Sequence, residues 1–206
     1  MSLADGSVPR MKERELFLAS DAALRSVIDR LTPADLGRSV PAEWSSGHRA
    51  AALTMRDIVG RHAYDEAWVP DLLAGHTTEQ VGDRWSGDLL GDDPIGSYDA
   101  IHDGATAAIS TADVDATILH FSYGDYPFAE GVLHLCSYRA FQAWLIARHL
   151  GLDFALDQPL IDGLNEHVVP TVEELRAYGA FPPQIEPPEG ADAETRLLCA
   201  VGFWHP

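Results

Sequence analysis

Apolar positions recur at helical spacing in several stretches of this chain. Phe17, Leu24, Ile28 and Leu31 fall on one face of a helix predicted over residues 10–31. A second helix is predicted from Thr54 to about Leu73 and stops before Gly75. Thr54 suits an N-cap, and Asp57 three residues on completes a weaker form of the capping box. Along it Ile58, His62, Asp65, Val69 and Leu72 share one stripe, while Arg61, Tyr64 and Trp68 lie on the adjoining arc. A third helix is expected over residues 95–110. The clearest is a fourth over residues 128–150, ending at Gly151. Its stripe reads His134, Tyr138, Gln142, Leu145 and His149. A shorter helix is predicted over residues 158–175.

The connections are less regular. Residues 39–52 read as a loop, and residues 75–95 as a long glycine-bearing loop of a length that is often functional. Residues 117–122 alternate enough for a short strand or extended segment, and residues 123–127 turn the chain. Residues 181–206 form a proline-rich tail with an apolar run over 196–201. The pattern therefore predicts an all-α protein, a bundle of four main helices with one short extended segment and an irregular C-terminal tail. It is read as a single domain over residues 1–206, with a flexible N-terminus at 1–9 and the tail at 181–206 packed on the bundle.

Composition narrows the function. With 206 residues and 46% hydrophobic positions, the chain can bury a sizeable core without staples. Fourteen basic against 32 acidic residues give a net charge of −18, which repels phosphates and anionic lipid heads. Nucleic acid and membrane are thus not expected partners, and a small-molecule substrate is; oligomeric state is open, a homodimer among the options. No apolar run approaches the roughly 20 residues of a bilayer span, and the first residues lack the apolar core of a signal peptide, so a cytoplasmic location is expected. Cys136 and Cys199 are too far apart for a paired motif and read as buried free thiols. Heavy use of Arg, Ala, Gly and Asp suggests a high-GC, actinobacterial genome.

Six segments, in their order and spacing, resemble the DinB-like superfamily, in particular the actinobacterial branch related to mycothiol-dependent maleylpyruvate isomerase. They are Thr54–Gly60, Trp68–Gly75, Val81–Pro94, Ser122–Asp125, Trp144–Gly151 and Ala191–Leu198. The resemblance implies a four-helix bundle with a divalent metal at its centre and mycothiol as cofactor. It also implies a ligating histidine seven residues before the Trp68 stretch, at Arg61. It further implies an acidic ligand and a histidine four residues apart in the fourth helix, at Tyr138 and Gln142, with an aspartate at Leu145. Arginine cannot ligate a cation at neutral pH, and tyrosine and glutamine are weak ligands. These departures predict a site with no metal and leave both inherited cofactors unsupported. A displaced ion held by His62, Asp65 and His134 is the competing possibility, and needs a π-bulge to bring His62 into place.

The residues left around that centre carry their own chemistry. His62, Tyr138 and His134 are candidate acid/base groups. Arg61 can hold a carboxylate or enolate, with Asp65, Gln142, Trp68 and Trp144 as further substrate-binding positions. The leading reading is a metal-independent enzyme that isomerises, eliminates or cyclises a small organic substrate, in specialised metabolism. The alternatives are a mycothiol-dependent isomerase or transferase of the family type, and a non-catalytic small-molecule-binding or interaction protein. Each residue also has a plainer role: a hydrogen-bonded core histidine at His62, or an Arg61–Asp65 pair one helical turn apart.

Overall fold

The computed structural model describes residues 11–44, 53–177 and 179–205. The N-terminal segment 1–9, most of the expected loop at 45–52, and Pro206 lie outside the described residues. The described chain is mostly helical. Helix α1 (Glu13–Ile28) is followed by the single turn α2 (Pro33–Leu36), a 3-10 turn at Ala42–Trp44, and α3 (Met55–Leu73). A short α4 (Thr78–Val81) interrupts the long loop ahead of α5 (Pro94–Thr111). A hairpin of β1 (Ile118–Phe121) and β2 (Gly124–Pro127) leads into α6 (Phe128–Cys136) and α7 (Arg139–Leu150). Then come α8 (Gln158–His167), a 3-10 turn at Val169–Thr171, α9 (Val172–Ala177) and α10 (Ala193–Val201). No helix among the described residues is long and apolar enough to cross a membrane.

Local sequence explains most boundaries. The Thr54 hydroxyl accepts from the Asp57 amide and the Asp57 carboxylate accepts from the Thr54 amide at 2.7 Å, so the expected capping box closes. Asp93 caps α5, with Pro94 at its first position. Gly151 stops α7 in the left-handed region at φ 70°, where a side chain would be strained.

Four expectations are corrected. The helix expected over 128–150 is two helices, broken at Ser137–Tyr138. Its heptad-like stripe continues through the break, so periodicity alone does not reveal it. Residues 123–127 are not simply a turn: Gly124–Pro127 pairs antiparallel with Ile118–Phe121, and only Ser122 and Tyr123 turn the chain. The helix expected over 158–175 is divided by the 3-10 turn at Val169–Thr171, where Pro170 lacks an amide donor. The tail is not wholly irregular, since Asp192 caps α10 and Phe181, Leu197, Leu198, Val201 and Phe203 enter the core.

Helix α1 packs against α5, α6, α7 and α8, and α3 packs against α5. The apolar core forms two clusters. Leu16, Phe17, Val69, Leu72, Ala105, Ile109, Phe141 and Trp144 belong to one. Leu24, Ile28, Ile58, Val59, Tyr98, Ile146 and Ala147 belong to the other. On α1, α3 and α5 the two sets are separated by a buried polar residue: Asp21, Glu66 and His102 respectively.

Candidate functional site

Those three polar side chains meet a fourth from α7, Arg139, so four helices each contribute one group to a buried layer. A charge can sit there only if it is paired. Arg139 Nε donates to Glu66 Oε1 at 2.7 Å and to Asp21 Oδ1 at 3.2 Å. Its guanidinium lies over the Phe17 ring, 4.7 Å from the centroid. His102 Nε2 is 3.1 Å from Asp21 Oδ2, and its Nδ1 faces Arg25 Nη1 at 3.2 Å. Arg25 in turn pairs with the exposed Asp103 at 2.6 Å. A continuous chain of polar contacts thus runs from solvent at α5, through the layer, to Arg139.

Burial divides the charges of the layer. It pushes the Glu66 carboxyl up to about 8, against the pull of Arg139, so Glu66 is mostly protonated near neutrality. For Asp21, burial is outweighed by His102 and Arg139, and its carboxyl stays below the usual range. Burial also works against the charge of Arg139, yet the Glu66 and Asp21 carboxylates outweigh it and raise its pKa. Near neutral pH Asp21 is therefore the ionised partner of Arg139, while Glu66, though nearer to it, is held toward its neutral acid.

Arg139 also reaches the wall of a cleft of about 510 Å³. This cleft brings together five of the residues singled out from sequence: His62, Asp65 and Trp68 from α3, His134 from α6, and Tyr138 at the start of α7. Tyr64, Phe121 and Tyr123 add aromatic surface to the same walls. Arg61 lines a neighbouring cleft of about 700 Å³ and donates to the Trp44 carbonyl at 3.3 Å. Gln142 is buried and does not line the 510 Å³ cleft, but stands beside His62. Trp144 packs in the apolar core, away from this wall.

The titratable groups of the cleft differ in kind. His62 is buried, and desolvation together with the Arg139 charge pushes it down to about 3, so the imidazole is neutral across the physiological range. His134 is exposed and only partly desolvated, which lowers its pKa below the ordinary value. Its ring is held among Tyr126, Phe121 and Tyr123, with centroids at 4.5, 5.7 and 5.8 Å, and Tyr123 Oη lies 3.4 Å from Nδ1. Burial raises Tyr138, which therefore keeps its proton. Asp65 is exposed to the cleft, and the protein mass around it raises its carboxyl.

The three positions matched to metal ligands by resemblance are not one donor set. Arg61, Tyr138 and Gln142 lie respectively in the neighbouring cleft, in the wall of this one, and beneath it. Among the described residues, no group of three or more His, Cys, Asp or Glu side chains is placed to hold a metal ion. His62, Asp65 and His134 share the cleft without forming such a group, so the residues present do not fit the ion.

Sequence reasoning did not single out Asp21, Glu66, His102 or Arg139. One signal was available: Asp21 falls four residues after Phe17 and three before Leu24, on the apolar face itself. Arg139 carried no comparable mark, because its partners are 73 and 118 residues away. Comparison with protein-family models, curated proteins and solved structures finds no match to this chain.

Proposed function

We propose that this chain is a metal-independent enzyme that moves a proton on a small organic substrate in the 510 Å³ cleft, as in an isomerisation, elimination or cyclisation. In this reading α1, α3, α5 and the α6–α7 pair are the four helices of a DinB-like bundle whose metal chemistry has been lost. The observation that carries it is convergence: His62, His134 and Tyr138, from three helical segments, line one aromatic-walled cleft.

The protonation states suggest distinct roles. His134, neutral and accessible, is the base that takes a proton from substrate carbon. Tyr138 keeps its hydroxyl proton and donates a hydrogen bond to the oxygen where enolate charge develops. His134 then returns the proton to another carbon, or gives it to the leaving group as that departs, which restores the neutral imidazole without oxidant or reductant. His62, held neutral, serves as a hydrogen-bonding group and not as the base. Buried free Cys136 and Cys199 suit a reducing compartment, and we place the protein in the cytoplasm. Its charge disfavours nucleic acid.

The test is turnover by chelator-treated protein in thiol-free buffer, using small molecules first selected by thermal stabilisation. Conversion under those conditions supports the reading. Conversion only after divalent metal or a low-molecular-weight thiol is added contradicts it, and ligands recovered unchanged leave a binding protein.

A further inference from the structure

The reading above leaves the substrate class unassigned, and the inference that follows rests on that reading of the cleft. Two polar atoms belonging to the cleft residues are buried and make no hydrogen bond among the described residues: Arg139 Nη2 and Trp68 Nε1. Both are donors. Arg139 is only 3% exposed. A buried donor left unmade costs about 1–3 kcal/mol, and more when it is charged, so an acceptor entering at the Arg139 and Trp68 wall would gain by satisfying it, once side chains shift to admit the acceptor. The Nε side of the guanidinium is already committed to Asp21 and Glu66.

The remaining walls define the rest of the ligand. Tyr64, Trp68, Phe121, Tyr123 and Tyr138 present rings to one cavity, and Phe121 and Tyr123 stack at 5.1 Å with planes 11° apart. Ring faces favour offset stacking or edge contacts with another flat π-system. The charges that face Arg139 are Asp21 from α1, Asp65 and Glu66 from α3, and, through Asp21, His102 from α5. Arg61, also on α3, acts on Asp65.

We infer that the cleft takes an aromatic carboxylate, its ring between the aromatic walls and its carboxylate on the unpartnered Nη2 of Arg139 with Trp68 as second donor. A fork of two N–H groups matches a carboxylate better than any neutral head group. The protonated state of Glu66 supports this assignment, since one fewer carboxylate then competes with the ligand for the guanidinium, leaving Asp21 and Asp65. Ionisation of Glu66 above about pH 8 returns a competing anion and weakens binding.

Isothermal titration of the intact chain at pH 7 tests the class directly with four probes of one shape: 2-naphthoate, 2-naphthamide, 2-naphthylmethylamine and the fully saturated decahydro acid. The expected result is that naphthoate binds, with the amide and the amine weaker by about tenfold or more and the saturated acid weaker by about threefold or more. Because Arg139→Met strands the Asp21 carboxylate and the Glu66 acid and can unfold the chain, the variant used is Trp68→Phe, which keeps an aromatic ring and removes the donor. It is expected to weaken naphthoate severalfold more than it weakens the amine, which shares the ring contact but not the donor. Equal affinity for acid and amide, preference for the amine, or no binding of the acid at millimolar concentration overturns the inference. Equal affinity for the saturated acid overturns its aromatic part. Naphthoate binding, with no conversion of any ligand in the chelator-treated, thiol-free turnover screen, upholds the ligand class and removes the enzyme reading, whereas turnover confined to neutral or cationic substrates does the reverse.

Discussion

At the scale of single residues, the molecule places two groups in protonation states that resist change. His62 is depressed to about 3 in the folded chain. Below its unfolded value of 6.5 the unfolded state binds a proton the folded state refuses. Stability tied to His62 is therefore present above pH 6.5 and lost as pH falls toward 3. Glu66 is raised to about 8, so the sign is reversed: its stability is present below 4.5 and lost as pH rises through 8. Urea midpoints across pH 4–9 should fall on both sides of a maximum. His62→Gln should flatten the acid limb and Glu66→Gln the alkaline limb, each by on the order of 2 kcal/mol at its extreme. Unchanged limbs would mean that these groups are solvated. Part of this was legible beforehand: His62 stands on a stripe with Ile58, Val69 and Leu72, a position that implies burial. Glu66 was not, because its partner Arg139 is remote in sequence and a charge without a visible partner reads as a surface residue.

At the scale of elements, caps and stops were legible and breaks were not. Thr54, Asp57 and Gly151 act through neighbours within a few residues, so the sequence around them contains the whole cause. Thr54→Ala removes the hydroxyl acceptor at the start of α3 and should cost about 1 kcal/mol in stability, read from chemical denaturation; a cost near zero would show that Asp57 caps alone. The division between α6 and α7 has a different origin. His134, Tyr138 and Gln142 keep helical spacing across it, so local pattern predicts continuity. The break starts α7 at Arg139, which must reach Asp21 on α1 and Glu66 on α3. That demand is tertiary and leaves no local trace. Downstream of the break the helical turn is intact, with the Gln142 amide donating to the Tyr138 carbonyl at 2.9 Å.

At the scale of the whole molecule, the polar layer and the cleft form one arrangement. Asp21, Glu66, His102 and Arg139 join four helices between two apolar clusters. Burying such a group of charges adds little net stability, and removing one partner strands another. The layer is better understood as holding Arg139 at the wall of the cleft that also carries the proposed proton-transfer groups. The helical class of the protein was legible from periodicity. The site was half legible: His62, Asp65, Trp68, His134 and Tyr138 do share a cleft, but its charged wall comes from residues that periodicity treats as ordinary. The central claim is that His134 moves a substrate proton there. It is tested most directly by following deuterium incorporation from solvent into a bound substrate by NMR, with chelator present and thiol absent. The wild-type chain should exchange a carbon-bound proton, with a rate that rises with pH to a plateau whose midpoint lies below 6.5. His134→Ala should slow that exchange by about 10²-fold or more. Exchange at an undiminished rate in His134→Ala, with the same pH profile, would contradict the account.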